Sequence, residues 1–120
     1  MIGGLVERIG RWLQRRLGHE AAFGAGLQYE AKRDFENAVE AYAQAEDVCL
    51  TKEGATGPQL PAYAAKLAHC LVLAGRYSEA VTAYERALGY RRRHASLSVR
   101  PSEEAILEGL ADARRRSRGE

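Results

Sequence analysis

The sequence predicts an all-α fold, a stack of antiparallel helical hairpins preceded by an amphipathic helix. Three observations carry that expectation. Two segments repeat at an offset of 42 residues with their small and aromatic residues in register. Apolar residues recur at three- and four-residue spacing on both sides of a short turn in each copy. The three prolines, at 58, 61 and 101, stand in or beside stretches that also carry glycine or serine, so the long segments between them are free to be helical.

The 120 residues amount to one domain, 46% apolar and 28% charged, well away from the composition of a disordered chain. A formal charge of +2 conceals an uneven layout. Residues 1–18 carry four arginines against Glu7, residues 19–60 eight acids against three bases, and residues 61–120 eleven bases against seven acids. Such asymmetry orients partners through long-range fields and does not determine the fold. Cys49 and Cys70 lack metal-ligand spacing and fall in apolar helical context, which reads as buried, reduced thiols. No apolar run approaches the roughly 20 residues of a membrane span, and the N-terminus lacks the continuous apolar core of a secretory signal. A cytoplasmic protein is the expectation, with peripheral attachment to a membrane as the variant.

Residues 1–18 form the first expected element. Ile2, Leu5, Val6, Ile9, Trp12, Leu13 and Leu17 share one helical face, while Arg8, Arg11 and Arg15 lie opposite. A basic amphipathic helix of this kind can cap the hairpins behind it, lie on an anionic membrane surface, or dock into a partner's groove. Arg16 interrupts the apolar face, which weighs against the membrane reading unless it snorkels.

The repeat spans residues 19–60 and 61–101. Phe35 matches Tyr77, Ala38 matches Ala80, Val39 matches Val81, Ala41 matches Ala83, Tyr42 matches Tyr84 and Ala45 matches Ala87. Upstream of each copy lies another helix-period stretch, with Ala22, Gly26 and Tyr29 in the first and Ala64, Ala68 and Leu71 in the second. Each unit is expected to be a helix, a tight turn and a second helix. Small residues at Gly26, Ala38, Ala68 and Ala80 allow close approach, and Tyr29, Tyr42, Leu71 and Tyr84 are expected to fill the space around them. Thr51 to Pro61 and Ser96 to Ser102 read as the connections. One further step of 42 carries Ala64 to Ile106 and Ala68 to Leu110. Ser102 and the acidic pair Glu103 and Glu104 then open a capping helix over residues 102–118.

On these residues the chain resembles the tetratricopeptide repeat family. Ala38-x3-Tyr42 and Ala80-x3-Tyr84 match that family's second-helix signature, and Gly26-x2-Tyr29 and Leu67-Ala68-x2-Leu71 match its first. The tryptophan positions hold Ala22 and Ala64, and the terminal proline is missing. The long period is similar to that of kinesin light chain repeats. The resemblance implies a right-handed α-solenoid of about two and a half repeats, whose first helices line a concave groove for a peptide or an amphipathic helix. Transferred through the register, it assigns that groove to Phe23, Leu27 and Glu30, then Ala65, Lys66, His69 and Val72, then Glu108 and Arg115. An apolar strip around Phe23 and Leu27 favours an apolar peptide or amphipathic helix as ligand, unless the N-terminal helix or a second copy of the chain covers it.

The residues offer little chemistry. No two of His19, His69 and His94 stand four apart on a helix, so no metal site is expected, nor any cofactor. His69 and Cys70 are helical neighbours about 100° apart and do not make a base and nucleophile pair. Glu36, Glu40, Glu46 and Asp47 read as a solvated helix face. Arg91 to Arg93 and Arg114 to Arg116 are explained as helix-end cations favoured by the macrodipole. Without interleaved aromatics they make a poor nucleic-acid surface, although a nucleic-acid-associated subunit stays as a further alternative. The expected function is therefore a non-catalytic adaptor or assembly subunit with a protein partner and no small-molecule substrate. A membrane-surface adaptor anchored by residues 1–18 is the first alternative.

Overall fold

The computed structural model describes residues 18–94 and 98–119. The amphipathic helix expected over residues 1–18, with Leu5, Arg8, Ile9, Arg11, Trp12, Leu13 and Arg15, lies outside them. The described residues form five α-helices and no strand: α1 His19–Ala31, α2 Phe35–Glu53, α3 Leu60–Leu73, α4 Tyr77–Arg92 and α5 Glu103–Ser117.

Local chemistry sets the helix ends. Asp34 caps α2 by accepting from the Asn37 N–H at 3.3 Å, and Ser102 caps α5 by accepting from the Ala105 N–H at 3.2 Å. Pro61 occupies the first turn of α3, where a missing N–H costs nothing. Gly54 ends α2 at φ 77°, and arginines occupy the last turns of α4 and α5 where the dipole favours cations.

The corners α1–α2 and α3–α4 share their closing hydrogen bonds at the 42-residue offset. Asp34 donates its N–H to the Tyr29 carbonyl at 2.9 Å, and Arg76 donates to Leu71 at 2.8 Å. Arg33 donates to Glu30 at 2.9 Å, and Gly75 to Val72 at 3.0 Å. The C-cap residues, Lys32 at φ −86°, ψ 2° and Ala74 at φ −84°, ψ −1°, share one conformation. Each corner is a helix ended by a left-handed residue whose successor's N–H reaches back to satisfy an otherwise orphaned carbonyl.

Each helix packs on its neighbours in the chain, α1 on α2, α2 on α3, α3 on α4 and α4 on α5, with a slighter contact between α3 and α5. Alanines make the approach close: Ala22, Ala38, Ala45, Ala64, Ala68, Ala80, Ala87 and Ala113 are all fully buried. Gly26 lies against the ring of Tyr42, where a Cβ would stand 2.4 Å from Cε1, and Gly109 lies equally close to Tyr84. Side chains also join alternate helices. Phe23 and His19 of α1 meet Tyr63 of α3, and Glu46 of α2 meets Arg86 and Tyr90 of α4.

Three expectations change. Tyr29 does not fill the interior; it is 38% exposed, and Phe23 and Tyr63 supply the aromatic packing there. Glu46 is not on a solvated face, because α4 covers that side of α2 and leaves it 5% exposed. It accepts hydrogen bonds from Arg86 Nε at 2.9 Å, Arg86 Nη2 at 3.1 Å and the Tyr90 hydroxyl at 2.7 Å, the partners a buried carboxylate requires. The first connection is shorter than expected, since α2 continues through Thr51 to Glu53 and α3 already begins at Leu60.

Candidate partner-binding face

An open recess of about 400 Å³ lies between α3 and α5. Ala62, Ala65, Lys66 and His69 of α3 form one wall, Ala105 and Ile106 of α5 the other, Tyr84 of α4 the floor, and Arg100 and Pro101 one end. The 42-residue register explains why the space is there. At the equivalent place between α1 and α3, Phe23 packs on Tyr63 with ring centroids 4.9 Å apart and on Tyr42 at 5.5 Å. Forty-two residues on, Phe23 becomes Ala65 and Tyr63 becomes Ala105. Two large rings are replaced by two methyl groups while the floor tyrosine is kept, and the backbone does not collapse to fill the difference.

The polar groups differ between the two places as well. Beside Tyr42, Glu30 accepts from the phenol at 2.6 Å and from Lys66 Nζ at 3.4 Å. Burial pushes the Glu30 carboxyl up, yet Tyr42 and Lys66 together outweigh it and hold the pKa below the usual carboxylate value. The equivalents of Glu30 and Lys66 in the next unit are Val72 and Glu108. Tyr84 accordingly has no hydrogen-bond partner among the described residues. Burial, with the Asp112 carboxylate adding to it, raises the Tyr84 phenol, which therefore stays a neutral O–H donor. Arg100 at the end of the recess makes no ion pair among the described residues, and His69 is exposed at the mouth. The recess thus combines apolar walls with donors and cations, and suits an apolar side chain accompanied by a carboxylate.

Of the residues assigned to a groove from sequence, the structure brings Ala65, Lys66 and His69 onto the recess and joins Glu30 to Lys66. Phe23 is half-buried under its aromatic contacts, so it does not provide an open apolar strip; Leu27 beside it is 42% exposed. Val72 is half-buried against the core. Glu108 is exposed on α5 away from the recess, and Arg115 is paired with Asp112. Tyr84, Arg100, Ala105 and Ile106 were missed. Comparing Phe23 with Ala65 and Tyr63 with Ala105 along the repeat would have found the place, because an aromatic pair lost between two units that keep the floor tyrosine marks missing volume.

A second constellation lies where the start of α1 meets the end of α2. His19 Nδ1 is 2.7 Å from the Tyr63 hydroxyl, and its Nε2 pairs with Glu53 Oε2. Cys49, one turn before Glu53, presents Sγ to the same point, and the three ligand atoms lie within 4.8 Å of one another. Burial pushes the Cys49 thiol up to about 11, with Glu53 adding to it, and burial pushes Cys70 up to about 12. Neither thiol is an activated nucleophile at neutral pH.

No family model matches the chain, and neither a characterised protein nor a solved structure matches it. No helix among the described residues is long and apolar enough to cross a membrane.

Proposed function

We propose that the chain is a non-catalytic protein-interaction module of tetratricopeptide type, an adaptor or assembly subunit that holds a segment of a partner protein against α1, α3 and α5. The replacement of the Phe23 and Tyr63 pair by Ala65 and Ala105, which opens the recess above Tyr84, carries this reading. The partner supplies an apolar or aromatic side chain to the space and an adjacent Asp or Glu to Lys66, His69 and Arg100. Burying one large side chain there contributes about 1.5 to 3 kcal/mol, and a carboxylate facing Arg100 adds orientation more than affinity.

A displayed peptide library tests it. Selection on the chain enriches peptides with an aromatic or large aliphatic residue next to an acid. The variant Ala65→Phe with Ala105→Tyr, which restores the aromatic pair of the preceding unit, loses that enrichment while keeping its helical content. Arg100→Glu shifts selection away from acidic peptides. Equal enrichment on wild type and the filled variant would show that the recess is not the binding place.

A further inference from the structure

We infer that His19, Cys49 and Glu53 form a site for one zinc-class divalent cation, a clasp between the first residue of α1 and the last turn of α2. Imidazole nitrogen, thiolate sulfur and carboxylate oxygen converge within 4.8 Å. A tetrahedral zinc, with bonds of about 2.0 to 2.3 Å, sets its donors roughly 3.3 to 3.8 Å apart. Seating an ion requires the direct His19–Glu53 contact to open and the Cys49 thiol to complete the set, both within reach of side-chain rotation. Cys49 and Glu53 are four residues apart on α2, the spacing that puts two side chains on one helical face.

The surroundings are those of a metal ligand set. The Tyr63 hydroxyl engages His19 Nδ1 at 2.7 Å, which orients the ring and directs Nε2 at Glu53. With the Tyr63 O–H donating to Nδ1, Nε2–H donates to Glu53; with the tautomer reversed, Nδ1–H donates to the hydroxyl and Nε2 frees a lone pair for a cation. Gly57 closes the inner side: its backbone passes so near Cys49 that a Cβ would stand 2.9 Å from Sγ. The Glu53 side chain is 37% exposed, which leaves a path for the ion and for water as fourth ligand. Sulfur and nitrogen in the set favour zinc or cobalt over calcium or magnesium, which take oxygen ligands. A simple His19–Glu53 ion pair would have no use for Cys49, so dependence on that thiol separates the two arrangements. The site stands apart from the recess, and neither depends on the other.

Cobalt titration of the full reduced chain tests the clasp. Wild type develops a thiolate-to-cobalt charge-transfer band and visible ligand-field bands at one equivalent, and zinc displaces them. Cys70→Ser behaves as wild type, and Cys49→Ser loses the charge-transfer band. Glu53→Gln, a change at an exposed position that leaves the fold intact, weakens cobalt binding by at least about tenfold and so decides the matter if Cys49→Ser fails to fold. Absence of the bands in wild type, their survival in Cys49→Ser, their loss in Cys70→Ser, or unchanged affinity in Glu53→Gln would overturn the assignment.

Discussion

Arg33 and Gly75, separated by 42 residues, hold the same left-handed backbone conformation at φ 59° and 78°. Glycine does so without a steric penalty, whereas an L side chain costs about 1 to 2 kcal/mol. The Arg33 guanidinium lies 5.4 Å from the centroid of the Phe35 ring and offsets part of that cost. Gly75→Ala should therefore lower the unfolding free energy by about 1 kcal/mol, and Arg33→Gly should raise it by about 0.5 kcal/mol. Urea denaturation measures both, and a loss of stability in Arg33→Gly would show that the cation–ring contact outweighs the strain.

The helical glycines divide in two. Gly24 and Gly89 have open space around them, while Gly26 and Gly109 each lie under a tyrosine ring. Gly24→Ala and Gly89→Ala should stabilise by about 0.5 to 1 kcal/mol through helix propensity alone. Gly26→Ala and Gly109→Ala should destabilise by about 1 to 3 kcal/mol, because the methyl meets Tyr42 or Tyr84. Thermal melts of the four variants distinguish the two classes by sign.

Glu46 is buried with Arg86 and Tyr90 as its partners. Arg86→Ala leaves the carboxylate with one phenolic donor in a desolvated place, and should cost about 2 to 3 kcal/mol. The double variant Arg86→Leu with Glu46→Leu should recover most of that loss, since no buried charge is left. A double-mutant cycle in urea gives the coupling; equal losses from the single and double changes would contradict a buried-charge origin.

Alkaline pH should unfold the chain. Burial pushes the Cys70 thiol from its ordinary value of 9.0 up to about 12, and burial together with Glu30 and Glu46 raises the phenols of Tyr42 and Tyr90. The unfolded chain releases these protons first, so their contribution is fully present below pH 9 and is lost as pH rises from there towards 12. Helical circular dichroism followed against pH should show the fall, and Cys70→Ala should move its onset to higher pH.

The two corners were legible in the sequence because Phe35 and Tyr77 open helices after the same backbone turn, and a turn is encoded locally. The helices followed from the spacing of Ala38, Tyr42, Ala80 and Tyr84. Legibility failed where a partner helix decides. Glu46 looks like a solvated acid until α4 covers it, and Tyr29 looks like a core ring although no described residue covers its outer side. The recess was half legible: Lys66 and His69 stood out by register, but Arg100 reaches it from a connection, and Ala105 marks it only by being smaller than Tyr63. His19, Cys49 and Glu53 are 30 and four residues apart along the chain. Histidine spacing alone could not find them, because only the folded corner brings the first residue of α1 to the last turn of α2.

Because each helix leans chiefly on those adjacent in the chain, most native contacts close short loops. Such a topology folds rapidly and can nucleate at either tyrosine-bearing hairpin. Among the described residues the ties between alternate helices are chiefly those of Tyr63 with His19 and Phe23 and of Glu46 with Arg86 and Tyr90, so the ends can open before the middle. Helix α5, held by α4 and only slightly by α3, is the segment whose amides exchange with solvent first, while α3, covered by neighbours on both sides, keeps its protons longest.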